Sequence, residues 1–169
     1  MTEQEEREGE VRLGFDPAKA AGDASLLFIG KIRTPWARRE DCPRNGLQTS
    51  EPCRIVLDAP YRPGLHSVSM LSHLIVLYWM HQSRRDLIVQ APRRGGGGAP
   101  RGTFAIRSPV RPNPISLSVV ELLECDEAAG VLTVRGLDCV DGTPLLDIKP
   151  YFASTDSRPD AVVGWNRPA

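Results

Sequence analysis

Two apolar segments in the second half of the chain end in polar, proline-bracketed motifs: RSPVRPNPISLS from Arg107 to Ser118, and DCVDGTPLLDIKPY from Asp138 to Tyr151. A residue that precedes proline is pushed out of the α region into extended backbone. Arg111 before Pro112 and Asn113 before Pro114 are therefore presented with little backbone freedom. Asp141-Gly142 is a strong tight-turn signal, and Pro144 leads from it into the apolar run Leu145, Leu146, Ile148. Arginine, asparagine and aspartate held on rigid turns point to a binding site. The RPNP stretch has a second reading as a structural corner.

The elements that must position these motifs are short and β-branched. Leu26 to Thr34 mixes an apolar run with alternation and reads as a strand, as does Arg54 to Pro60; between them Asn45-Gly46 is a hairpin-turn signal. The segments 73–81, 86–92, 102–108, 115–124 and 131–137 continue the pattern, separated by Gly, Pro and Asp. Such spacing predicts a mainly β fold, a small closed or partly closed β-barrel with few short helices. One short helix is expected around Gly64 to Leu71. At 169 residues the chain has room for one domain with a real core. The expected organisation is an acidic mobile or loosely docked tail over 1–24, the barrel domain over 25–152 and a C-terminal tail over 153–169.

The formal net charge is zero, but the charges are segregated. Residues 1–30 carry three basic and seven acidic side chains, residues 31–111 carry fourteen and five, and residues 112–169 carry four and nine. Thirteen of the fourteen central cations are arginine, whose planar fork suits phosphate oxygens and whose face stacks on bases. A phosphate-rich partner follows from that segment, and pairing of solvated arginines with the acidic flanks is the alternative. The stretch RRGGGGAPRG over 93–102 reads as a flexible basic loop between strands. It also suits an arm that meets RNA phosphates.

Several classes are excluded. No Gly-Lys-Ser/Thr closes the glycine-rich loop and no strand-to-helix GxGxxG occurs, so neither a Walker loop nor a Rossmann site is expected. Three histidines and four cysteines have no zinc-like spacing, so no metal is expected. Ser108 and Ser118 lack a nucleophile signature. The longest apolar run, Leu74 to Met80, is far short of the roughly 20 residues that span a bilayer. With no CxxC pair and no charged-then-apolar leader, a reduced cytoplasmic location is expected.

Taken in order with GKIRTPWARREDCPRNG and SHLIVLYWMHQSRR upstream, the two motifs resemble the TsaA-like family of S-adenosylmethionine-dependent methyltransferases over about Phe28 to Tyr151. The resemblance implies a small β-barrel-like domain, S-adenosylmethionine as methyl donor and a homodimer. It also implies tRNA as partner, with methylation of the N6 nitrogen of threonylcarbamoyl-adenosine beside the anticodon. The chain has Ile106 and Ser116 where the family more often reads ATRS and NPIG. It stops eighteen residues after Tyr151, whereas the full-length tRNA-modifying members carry a further C-terminal region. The alternatives are therefore a different RNA or small-molecule acceptor, or a non-enzymatic cofactor- or RNA-binding module.

The resemblance places donor contacts at Pro43, Arg44 and Asn45, at Met80 and His81, at Arg107, at Leu117, and on the turn Asp141, Gly142, Thr143, Pro144. Methyl transfer from a sulfonium is an in-line displacement, so such a site must hold donor and acceptor in near-attack geometry and exclude water. Arg107 suits a carboxylate, gripped through two parallel hydrogen bonds, and Met80 suits an adenine face or simply the core. Asp141 and Thr143 suit a ribose or an amine, and Asp141 also suits a plain turn. Asp138, Asp141 and His81 are the available bases, unranked.

Overall fold

The computed structural model describes residues 7–19, 22, 24–92 and 98–166. Its strands, in chain order, are β1 (Val11–Arg12), β2 (Gly30–Arg33), β3 (Pro52–Leu57), β4 (His73–Trp79), β5 (Leu87–Gln90), β6 (Arg101–Gly102), β7 (Ile115–Asp126), β8 (Val131–Arg135) and β9 (Thr143–Pro150). Six of them close a barrel in the order β2-β3-β8-β7-β4-β9, with every pair antiparallel. Closure removes the exposed edges that an open sheet of this size would present. The expected mainly β barrel is the observed fold.

Alternation decides which residues fill it. Along β3, β4 and β8 every second side chain is buried, so Cys53, Ile55 and Leu57, Leu74, Val76 and Tyr78, and Leu132 and Val134 point inward. Ile32, Val120, Leu137 and Leu145 complete the interior. Burial of each Leu or Ile stabilises by roughly 1.5–3 kcal/mol. Gly30 is required where β2 meets β3, because a Cβ there would run into the Val56 carbonyl and the Leu57 backbone.

Helical structure among the described residues is one four-residue α-helix, Ala153–Asp156, and short 3-10 turns. The helix expected near 64–71 is two such turns, Ala59–Leu65 and Val68–Met70. Asn45-Gly46 forms no hairpin. Asn45 Oδ1 accepts the Leu47 N–H at 3.0 Å and opens a 3-10 turn, and Gly46 lies flat against the Gly136 carbonyl. The strand expected over 102–108 ends at Gly102, because Thr103 turns inward. Its buried hydroxyl donates to the Leu87 carbonyl at 3.0 Å and accepts from Gln90 Nε2 at 2.7 Å.

A second, three-stranded sheet, β1-β5-β6, flanks the barrel. Part of the segment read as an acidic tail is docked there. Arg7 donates to the Ala91 and Pro92 carbonyls at 3.0 and 2.6 Å, and the Leu13 N–H donates to the Asp86 carbonyl at 2.8 Å. Of the glycine-rich stretch, 93–97 lie outside the described residues. No helix among the described residues is long and apolar enough to cross a membrane.

Candidate active site

A cavity of about 820 Å³ lies between the barrel and the second sheet. Arg39, Cys42, Pro43 and Arg44 line it from the loop after β2. Met80 and His81 border it just past the end of β4, Gln90 at the end of β5, Ser116 near the start of β7, and Thr143 at the start of β9. Arg107, Ser108, Asp138 and Cys139 enter from the two motifs that stand out in the sequence.

Six of the eleven expected contacts therefore converge: Pro43, Arg44, Met80, His81, Arg107 and Thr143. Met80 is held by its backbone N–H on the Pro114 carbonyl at 2.8 Å, so the RPNP corner sets where β4 ends. Exposed Arg107 is anchored by one nitrogen on the Leu117 carbonyl at 2.7 Å, which leaves its other N–H groups to face the cavity. The buried Thr143 hydroxyl donates to the Val140 carbonyl at 2.7 Å and locks the turn into β9.

The other five do not line the cavity. Asn45 spends its side chain on Leu47, and Leu117 lies on the outer barrel face, with only its carbonyl reaching Arg107. Asp141 accepts from the Thr34 N–H and from Arg33 Nη1, both at 3.1 Å, and borders a separate, smaller cavity with Arg33, Thr34 and Arg54. Gly142 supplies the turn's positive φ of 78° with its N–H on the Ile32 carbonyl, and Pro144 pairs opposite Lys31. Arg111 and Asn113 form a corner. Arg111 donates to the Ser108 carbonyl at 3.2 Å, Asn113 Oδ1 accepts from Arg85 at 3.3 Å, and the Arg85 guanidinium lies 5.4 Å from the Trp79 ring centre.

Asp138 is the carboxylate at the centre of the arrangement. The Tyr78 hydroxyl, inside the barrel, donates to Asp138 Oδ1 at 2.9 Å and lies 2.9 Å from Ser118 Oγ. With the phenolic proton committed to Asp138, Ser118 donates to Tyr78, giving a short chain from β7 through β4 to the cavity wall. Burial pushes the Asp138 carboxyl above its ordinary range, against the opposing pull of the Tyr78 hydrogen bond and the Arg107 charge. Burial likewise raises the Tyr78 phenol, so it stays a donor. Sequence reasoning assigns Tyr78 no role and Ser118 none beyond lacking a nucleophile signature, and it leaves Asp138 as one of three unranked bases, three residues ahead of the more conspicuous Asp-Gly turn.

Among the described residues no group of three or more His, Cys, Asp or Glu side chains is placed to hold a metal ion. The four cysteines form no disulfide, and burial pushes the Cys53 thiol up to about 11, that of an unreactive core residue.

Residues 31–157 match the family model of the tRNA-methyltransferase O N-terminal domain. The chain belongs to this family. Among its relatives, a probable S-adenosyl-L-methionine-binding protein, VirR, of Rhizobium radiobacter is 47% identical over 129 residues, covering 76% of this chain and 71% of VirR. The tRNA (adenine(37)-N6)-methyltransferase of Escherichia coli is 40% identical over 148 residues, covering 83% of this chain and 63% of that enzyme. The crystal structure of TrmO from Pseudomonas aeruginosa superposes with a TM-score of 0.69 at 33% identity, over 86% of this chain and 63% of that one. The chain thus spans just under two thirds of these last two proteins. The docked segment Arg7 to Leu13 lies ahead of the residues that the family model matches.

Proposed function

We propose that this member of the TrmO family is an S-adenosylmethionine-dependent methyltransferase that methylates the N6 nitrogen of threonylcarbamoyl-adenosine beside the tRNA anticodon. The observation that carries the reading is the convergence of Pro43, Arg44, Met80, His81, Arg107 and Thr143, from four separated stretches, on one cavity. At about 820 Å³ the cavity falls in the size range of small-molecule sites, roughly 300–1,000 Å³. The donor set suits a ligand with a carboxylate, a cation and an aromatic base. Arg107 meets the carboxylate, the Met80 thioether lies against the base, and Asp138 offers the single half-buried anion. S-adenosylmethionine supplies an activated methyl group on a cationic sulfur.

Arg39, Arg44, Arg101 and Arg107 are among the side chains that line the cavity, a positive charge that suits the phosphates of a tRNA. Arg101 is held in place by the Trp165 ring, 4.5 Å from its guanidinium carbon. The protein acts as a homodimer through the outer face of β4 and β7, where Ile75, Leu77 and Trp79 stand opposite Val119, Leu117 and Ile115. Ile115, Leu117 and Val119 are each 40–44% exposed, a contiguous apolar face that a partner copy would cover. Unpaired cysteines fit a cytoplasmic setting.

Calorimetric titration of S-adenosylmethionine into the protein and into Arg107→Ala tests the donor site, with saturable binding expected in the first and at least tenfold weaker binding in the second. Incubation with threonylcarbamoylated tRNA should then yield S-adenosylhomocysteine, and tRNA binding should weaken steeply with added salt. Turnover only with another RNA or a small molecule would move the acceptor and keep the donor. Tight donor binding without any turnover would leave a binding module.

A further inference from the structure

Resting on that reading, we propose that Asp138 is the catalytic base that takes the proton from the acceptor nitrogen, and that Tyr78 is the residue that positions it. Adenine N6 is a poor nucleophile because its lone pair is delocalised, so loss of its proton has to accompany attack. In the balanced step the N–CH₃ bond forms as the methyl–sulfur bond breaks, the sulfur leaves as a neutral thioether, and the N6 proton passes to a carboxylate oxygen of Asp138.

The geometry separates Asp138 from the two rivals that sequence left beside it. Asp141 has both oxygens committed, to Thr34 and Arg33, and lies outside the cavity. His81 borders the cavity but is exposed, and its ring is met by the neighbouring Gln82 amide at 3.5 Å, so among the described residues no side chain distant in sequence holds it. Asp138 lines the cavity, and one of its oxygens is fixed from inside the barrel by the Tyr78 hydroxyl. Apart from its own backbone N–H, no second hydrogen-bond donor among the described residues is placed on this carboxylate, which leaves it able to meet a substrate proton. Tyr78 is fixed in turn by its burial in β4 and by Ser118 across the ladder.

The groups that act on Asp138 come from β4 and from the loops that carry Arg107, Cys42 and Cys139. Tyr78 on β4 and Arg107 favour its ionised form, while burial opposes ionisation. The Cys42 and Cys139 thiols stand nearby and are themselves pushed up by burial and by the Asp138 charge, so they remain neutral. The result is a carboxylate more basic than one in water, as a base for a weakly acidic N–H requires.

The test is single-turnover methylation of threonylcarbamoylated tRNA by protein saturated with S-adenosylmethionine, across pH, for wild type, Asp138→Asn, Tyr78→Phe and His81→Gln. Donor affinity is measured in parallel. For wild type the rate should fall on the acid side as Asp138 takes up a proton. Asp138→Asn should lose roughly 10²–10⁴-fold in rate at saturating donor and lose that acid limb, a loss in the chemical step larger than any fall in donor affinity. Tyr78→Phe removes a hydrogen bond to the ionised form, so the limb should move to higher pH, a change that a purely structural role would not produce.

An acid limb that survives Asp138→Asn and vanishes in His81→Gln would overturn the assignment, as would a loss confined to donor binding. Wild-type protein that binds donor and leaves this tRNA unmethylated would overturn the functional reading, and this role with it. Turnover that survives Asp138→Asn would overturn the role alone.

Discussion

The Asp141 carboxylate bridges the Thr34 N–H and the Arg33 guanidinium, each at 3.1 Å, and this turns it out of the cavity that the neighbouring Asp138 enters. Two carboxylates three residues apart thus have different work. The first clips the β2–β9 junction and the second faces the cavity.

Asp141→Ala should therefore behave as a scaffold variant. Losing one charge-assisted backbone hydrogen bond and one exposed ion pair costs about 1 kcal/mol, a fall of roughly 2–4 °C in Tm for a domain of this size. Donor affinity by calorimetry should drop less than in Arg107→Ala. The reverse order of the two variants would place Asp141 in contact with the donor.

Asp138 illustrates a stability cost carried by a functional group. Its folded-state pKa lies above the ordinary carboxylate value because of burial, so between the unfolded pKa, about 3.9, and the folded one the native state binds more protons than the unfolded chain. Stability contributed by this group is full below the unfolded pKa and is lost as pH rises through the folded pKa. Asp138→Asn should accordingly melt at a higher temperature than wild type at pH 7, and the difference should disappear near pH 3.5 in thermal scans by circular dichroism. A variant less stable at pH 7 would contradict the burial argument.

Asp86 has the opposite sign. Its hydrogen bonds from Arg84, helped by the Arg12 charge, hold its carboxyl down at about 2. The stabilisation is present above the unfolded pKa, about 3.9, and is lost as pH falls from there towards 2. The pair is partly exposed, so its global worth is under about 1 kcal/mol. Its local effect is to hold the segment before Leu13 on β5. In Asp86→Asn, hydrogen exchange at Arg12 and Leu13 should accelerate at neutral pH while the barrel amides keep their protection.

Much of the fold was legible because short β-branched apolar runs separated by Gly, Pro and Asp read as strands: β3, β4, β7 and β8 lie on such runs. The exceptions depend on distant partners. Thr103 ends a strand because its hydroxyl finds Leu87 and Gln90, and Asn45-Gly46 avoids a hairpin because Gly46 meets Gly136. The site divides in the same way. Motif residues identify the loops that reach the cavity, but the direction of each carboxylate is set by contacts 108 residues away for Arg33–Asp141 and 60 residues away for Tyr78–Asp138. No local signal encodes those contacts.

Gly46 offers a test of how tightly the loop carrying Pro43 and Arg44 is seated. A Cβ at this position would overlap the Gly136 carbonyl, and backbone cannot step aside as a flexible side chain would. Gly46→Ala should cost about 1–3 kcal/mol and weaken donor binding by displacing one cavity wall. Unchanged melting temperature and affinity would mean that the loop repacks freely.

The apolar face of β4 and β7 carries the last prediction. Leu117 stands at its centre, directly opposite Leu77, while its carbonyl holds Arg107 at the cavity, so the face proposed for the dimer and the proposed donor site meet at one residue. A charge introduced there would be buried without a partner in the dimer, at a cost of roughly 3–5 kcal/mol, enough to weaken association by at least a hundredfold. In the separated monomer the same charge would sit in water and the barrel interior would be untouched. Leu117→Asp should therefore sediment as a monomer with an intact far-ultraviolet spectrum, while wild type sediments as a dimer. Donor affinity should fall only as far as the Arg107 anchor depends on the covered face. A wild-type protein that stays monomeric at concentrations well above those used for calorimetry would instead leave this face without a partner copy.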